Sequence, residues 1–221
     1  MITLQRERGC PSARYRTGGS FANTRMPYGL ISLGSEHNPM PIHSHIHITG
    51  ASGSGTTTLA KAIAATHGHR HLDTDDFFWM LTNPPYQHVR PREERLAMLQ
   101  EALSKSTTWL LSGSLCGWGD VLIARFDLVV FLLLDPEIRI ARLREREAKR
   151  FGEAAIAPGG VRHNELQKFL DWAAQYDAGG LDMRSRSLHE EWLRLLPCPV
   201  LRPDGALPVN EMVVAVESAS S

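Results

Sequence analysis

From Ile42 onwards, apolar and polar positions fall into two alternating rhythms. Ile42, Ser44, Ile46 and Ile48 interleave with His43, His45 and His47, a period of two that predicts a strand with its imidazoles on one polar face. Thr57-Thr58-Leu59-Ala60-Lys61-Ala62-Ile63-Ala64-Ala65 then changes to helical spacing, helped by its alanines. A brief strand is expected over residues 71–73, a helix carrying Leu96, Leu99 and Leu103, and a further strand over 107–114. Leu128-Val129-Val130-Phe131-Leu132-Leu133-Leu134 is apolar throughout, as a strand buried on both faces would be. Pro136 opens a helix running to about Arg150, with Asp135 as its N-cap. Helices over 166–176 and 185–196, a short strand near Val200 and a closing helix over 209–216 complete the pattern. Strands alternating with helices predict a parallel α/β sheet covered on both faces.

Residues 1–40 carry neither rhythm. Arg6, Arg8, Arg14, Arg16 and Arg25 are scattered among Gly, Ser, Pro and Asn, without the apolar core of a secretory signal. This stretch is expected to be a disordered extension, or translation upstream of a true start at Met40, with residues 41–221 forming the domain. The chain has 221 residues, 43% of them hydrophobic and 22% charged, which describes one globular domain with a full core. Zero formal net charge gives no argument for a nucleic-acid polymer or a membrane surface as partner, and the longest apolar run is too short to cross a bilayer. Cys10, Cys116 and Cys198 are too scattered for a disulfide framework and suit a reducing, cytoplasmic setting.

The candidate chemistry starts where the first strand meets the first helix. Gly50-Ala51-Ser52-Gly53-Ser54-Gly55-Thr56-Thr57-Thr58 has the spacing of the P-loop, G-x-x-x-x-G-K-[ST], whose backbone amides and helix dipole cradle phosphates. Thr57 stands where that motif places its Mg²⁺-binding hydroxyl. Thr56 occupies the position of the phosphate-binding lysine, and a threonine cannot deliver a charge to the β- and γ-phosphates. Loss of one such electrostatic donor costs about 3 kcal/mol of transition-state stabilisation unless another cation substitutes.

Asp73, Asp75 and Asp76 end the second strand, on the edge of a parallel sheet where ligands gather. Carboxylates there hold Mg²⁺ or accept a hydroxyl proton, and Asp73 and Asp75 are the favoured pair; capping a helix is the alternative use. Arg90, Arg92 and Arg95 are either a clamp for an anionic substrate or an exposed, salt-bridged helix start. Trp118 either stacks on a planar ligand or packs in the core. Asp135 satisfies the loose Walker B pattern, although a helix cap explains it as well. Arg142 and Arg146 share a face of the 136–150 helix, and the glycine-rich stretch after it, about 151–163, is a candidate lid. His67, His69 and His71 form a second cluster, read as polar rather than metal-binding for want of matching Cys or carboxylate spacing.

From about His43 to the C-terminus the chain resembles the small-molecule P-loop kinases, the adenylate-, cytidylate-, shikimate- and gluconate-kinase-like proteins. The resemblance is carried by the P-loop, by Leu72-Asp73-Thr74-Asp75-Asp76, by the apolar strand leading to Arg139, Arg142 and Arg146, and by Val200-Leu201-Arg202-Pro203-Asp204-Gly205. It implies a three-layer P-loop fold, a five-stranded parallel sheet in 2-3-1-4-5 order with a small lid, and transfer of the ATP γ-phosphoryl to a nucleotide or small metabolite. It also implies that Thr57 holds Mg²⁺ with support from Asp73, that Asp75 orients or deprotonates the acceptor, and that Arg142 and Arg146 neutralise developing charge. A non-catalytic nucleotide-binding protein, a sensor or interaction module, is the second reading, motivated by Thr56. No N-K-x-D guanine motif supports a GTPase.

Overall fold

A computed structural model describes residues 42–82 and 85–220; the expectations for residues 1–40, and the loop placed at Asn83 and Pro84, fall outside the described residues. The strands are β1 (His45–Gly50), β2 (Arg70–Asp73), β3 (Trp109–Ser112), β4 (Leu128–Leu132) and β5 (Val200–Leu201). They form one sheet in the order β2-β3-β1-β4-β5, every pairing parallel. This is the order that the resemblance implies. The central strand, β1, has β3 on one side and β4 on the other, so the loop that leaves its C-terminal end emerges at the topological switch point.

Alternation along the strands divides the core. Ile46, Ile48, Leu110, Val130 and Leu132 pack with α1 (Thr56–His67) and α8 (Val209–Ser218). Trp109, Leu111, Val129 and Phe131 point the other way, towards α2 (Thr74–Phe78), α3 (Arg92–Ser104) and α7 (Arg186–Leu193). The period-two reading of β1 therefore gave the correct register but the wrong environment. His47 lies on the second face at 0% exposure, stacked on Phe126 with ring centroids 5.1 Å apart. Its Nδ1–H donates to the Leu111 carbonyl at 2.9 Å, and Nε2 finds no partner among the described residues. Burial pushes its pKa down to about 4. A strand covered on both faces has no polar side, whatever its residue types suggest.

α4 (Pro136–Phe151) begins as expected, with the Asp135 carboxylate accepting from the Glu137 and Ile138 amides at 2.8 and 3.4 Å. Asp135 is a cap. Arg139 on this helix is buried, ion-paired with Asp177 and donating from Nε to the Leu134 carbonyl at 3.1 Å. After α4, the stretch read as a lid contains α5 (Glu153–Ile156), and α6 (His163–Ala174) packs back on α4 through Leu143, Leu170 and Ala173. No helix among the described residues is long and apolar enough to cross a membrane.

Two predictions follow from this packing. Gly53 adopts φ +84, and a Cβ there would lie 2.7 Å from the Arg139 carbonyl oxygen; Gly68, at φ +73, has open space. Gly68→Ala should cost about 1 kcal/mol for the left-handed backbone alone, and Gly53→Ala should cost more, about 2–4 kcal/mol, in urea unfolding. For His47, a folded pKa below the unfolded 6.5 means that its contribution to stability is present above pH 6.5 and lost as pH falls towards 4. His47→Gln should flatten the acid limb of the stability curve by up to about 1.4 kcal/mol per pH unit within that window.

Candidate functional site

The loop between β1 and α1 is the glycine-rich stretch with P-loop spacing. Gly55 precedes α1 with φ 100 and no side chain to cap the helix, so the first-turn amides have no side-chain acceptor and are available to an anion. The first turn contains no acidic residue to compete. Thr56 begins the helix and Lys61 is exposed further along it, so no lysine stands at the loop. The turn at Gly205 closes against the loop, where a Cβ would meet the Ser54 carbonyl oxygen at 3.1 Å.

Thr57 faces β2. Its hydroxyl donates to Asp73 Oδ2 at 2.9 Å, and the Ser112 hydroxyl donates to the same oxygen at 3.2 Å. Asp73 Oδ1 accepts the Asp75 amide at 3.1 Å, making Asp73 the N-cap of α2. Of the two sequence readings of Asp73, the structure shows the cap, made by a buried side chain that also accepts from Thr57. Ser112 spends its proton on Asp73, so His71 Nε2, 2.9 Å from the Ser112 oxygen, donates to it.

Asp75 lies one step further, on the wall of a cleft that also contains Phe78, Trp118, Trp172 and Arg184. The carboxyl has a pKa pushed up to about 7, first by removal from water and then by the charge of Asp73, against the opposing pull of Arg184 and Arg146. Asp76 is exposed. Of the two uses foreseen for Trp118, the structure shows core packing. It is buried, donates from its indole to the Ser114 carbonyl at 3.0 Å, and lines the cleft.

From Ser114 in the cleft lining, a hydrogen-bonded chain that the sequence did not announce runs into the interior. Ser114 Oγ lies 3.0 Å from His189 Nε2, and Tyr176 Oη lies 2.6 Å from His189 Nδ1. Burial holds the His189 pKa well below its ordinary value, so the ring is neutral and has one donor nitrogen and one acceptor. The same burial pushes the Cys116 thiol up to about 12.

The arginines sort differently from their sequence pattern. Arg142 reaches the loop, donating to the Gly205 carbonyl at 3.1 Å, with its Nη1 3.9 Å from where a Cβ on Gly55 would stand. Arg146 and Arg150 both contact the buried Glu147, each at 3.2 Å, and Arg146 is near enough to act electrostatically on Asp75. Arg90 is no free clamp: its guanidinium donates to the Phe77 and Trp79 carbonyls at 3.0 and 3.1 Å and pairs with Glu94. Arg95 stacks over Phe78, 4.3 Å from the ring centroid, and Arg92 is exposed. The arginine that sequence reasoning missed is Arg184, whose Nη2 donates to the Gly50 carbonyl at 2.8 Å. A single arginine between two helices carries no local signal.

A family model described as an AAA domain matches residues 46–157, from β1 through α5. Uncharacterized protein YqaC of Bacillus subtilis (strain 168) is 45% identical over 143 residues, covering 65% of this chain and 78% of that protein. Similar solved structures include a shikimate kinase from Bacteroides thetaiotaomicron, 18% identical with a TM-score of 0.48, covering 80% of this chain and 98% of that one. A gluconokinase from Sinorhizobium meliloti 1021 is also 18% identical, with a TM-score of 0.42, covering 79% and 90%. With the family model spanning half of its length, from the P-loop strand to the turn beyond α4, the chain belongs to the AAA-domain family of P-loop proteins.

Proposed function

We propose that the protein is an ATP-dependent phosphotransferase that moves the γ-phosphoryl group to a hydroxyl of a nucleotide or small metabolite held in the Asp75 cleft. The observation that carries this reading is the juxtaposition of a P-loop with a carboxyl group of near-neutral pKa, joined through Thr57, Asp73 and the Asp75 amide. A binding site alone has no use for Asp75 in that state; a proton acceptor does.

The donor set fits Mg²⁺. Thr57 and Asp73 offer hard oxygen atoms 2.9 Å apart at the start of α1, the arrangement of one hydroxyl and one carboxylate suited to a cation that keeps several waters. Mg²⁺ held there would neutralise phosphate charge. The amides of residues 55–58 would bind the phosphates of ATP, with Ala51, Ser52, Gly53 and Ser54 shaping the loop around them. Asp75 takes the proton of the acceptor hydroxyl as its oxygen bonds to the γ-phosphorus. The bond from that phosphorus to the bridging oxygen breaks, and ADP leaves with the electron pair. Arg142, at the closing turn, and Arg146, opposite Asp75, supply positive charge around the transferred group. The segment after α4, with Gly152 at φ 85, acts as a lid that keeps water out.

The second reading is a nucleotide-binding protein without turnover, and Thr56 is the observation that favours it. Calorimetric titration with Mg-ATP separates both readings from no nucleotide function: micromolar binding in the wild type, abolished in Gly55→Asp, is expected. Asp75→Asn should reduce phosphoryl transfer by at least about 100-fold while Mg-ATP affinity changes less than about 3-fold. Undiminished transfer in that variant would remove Asp75 from the mechanism. Because the base must be ionised, turnover of the wild type should rise with pH through about 7. Stability has the opposite slope. The folded carboxyl, raised above its ordinary 3.8, binds a proton that the unfolded chain releases, so Asp75 destabilises the fold increasingly as pH rises from 4 to 7. Asp75→Asn should therefore raise the thermal midpoint at pH 8, and the difference should vanish near pH 4.

A further inference from the structure

The P-loop lacks its lysine, and the described residues nevertheless bring one cation onto the loop backbone beside the cleft. Arg184 belongs to the segment between α6 and α7, far from the loop in sequence, and its Nη2 donates to the carbonyl of Gly50, the first residue of the motif, at 2.8 Å. Its Nε is shut off from solvent without an acceptor, and Nη2 is the one guanidinium nitrogen with a hydrogen-bond partner among the described residues. The same side chain lines the cleft with Asp75. The guanidinium thus sits between the mouth of the phosphate cradle and the base, with N–H donors to spare.

The other candidates are placed differently. Arg139 is consumed by Asp177 and the Leu134 carbonyl. Arg142 is tied to the Gly205 turn. Arg146 and Arg150 contact Glu147. Lys61 is exposed on α1. Arg184 alone among these bonds to the loop and faces the cleft. Its Gly50 bond uses one Nη2 proton and leaves the Nη1 and remaining Nη2 protons, the edge of the guanidinium that suits two phosphate oxygens.

We infer that Arg184 replaces the missing P-loop lysine, contacting the γ-phosphoryl group of ATP from across the cleft as it passes to the acceptor. This rests on the phosphotransferase reading above. The residue contributes charge only: the acceptor oxygen gains the phosphorus, Asp75 the hydroxyl proton and ADP the electron pair of the broken bond.

The test needs no knowledge of the acceptor. Arg184→Gln keeps an amide able to bond the Gly50 carbonyl and removes the charge, and Thr56→Lys restores a charge from the ordinary position. Mg-ATP is titrated calorimetrically into wild type, Arg184→Gln, Thr56→Lys and the double variant, with thermal unfolding to confirm that each is folded. The expected result is at least about 10-fold weaker Mg-ATP binding in Arg184→Gln, regained by at least about 5-fold in the double variant. Arg184→Met serves in the same comparison if the glutamine variant does not fold. Affinity within 2-fold of a binding wild type overturns the assignment and leaves the phosphotransferase reading intact. A loss that Thr56→Lys does not repair also overturns it, because a merely structural arginine would behave so. A wild type that does not bind Mg-ATP overturns both.

Discussion

A buried carboxylate must have its lone pairs occupied, and the way Asp73 satisfies that demand organises the site. One oxygen accepts from Thr57 on α1 and Ser112 on β3; the other accepts from the Asp75 amide in the first turn of α2. Three elements are fixed relative to one another by one side chain. Hydrogen bonds to a charged acceptor are worth about 1.5–3 kcal/mol each, and breaking the set would leave an uncompensated charge in the interior. The position of Asp75 at the cleft is a consequence, because the cap on its amide sets where its carboxyl emerges.

The sheet makes this possible. With β1 central and neighbours of opposite connection on either side, the loop, the end of β2 and the end of β3 open on the same edge. The apolar faces that hold the strands together are local properties of alternating sequence, so the scaffold is robust to what its edge carries. The edge is where polar side chains accumulate with unusual burdens: a buried Asp73, an Asp75 whose pKa is pushed up to about 7 beside it, and a His189 held neutral between Ser114 and Tyr176.

What the sequence discloses and what it withholds divide along the same line. The loop at residues 50–57, the buried run of β4, the Asp135 cap and the acids after β2 are read from neighbours a few positions apart, and the structure puts them where spacing says. The strand order followed from resemblance, since alternation specifies a parallel sheet but not which strands adjoin. His47 was misjudged because residue type was taken for environment in a strand with no solvent face. Of the two readings of Arg90, the ion pair with Glu94 fits the salt-bridged helix start, and the rest of its fork is filled by backbone carbonyls that no pattern of charges reveals. Arg184 and His189 were invisible for a plainer reason: each acquires its meaning from partners brought together only by the completed fold.

Burial around the cleft has an electrical consequence. Cys116 keeps its proton, Tyr176 is pushed further from ionisation, and His189 stays uncharged. The residues lining the cleft therefore contribute two variable or fixed charges, Asp75 and Arg184. With Asp75 ionised the pair sums to nothing; once it holds a proton, the cleft is positive by one. In the proposed reaction that change coincides with the arrival of an anionic phosphoryl group on the acceptor. The cleft thus approaches electroneutrality with the product as it had with the substrate, by moving a single proton across a few ångströms rather than by drawing ions from solution.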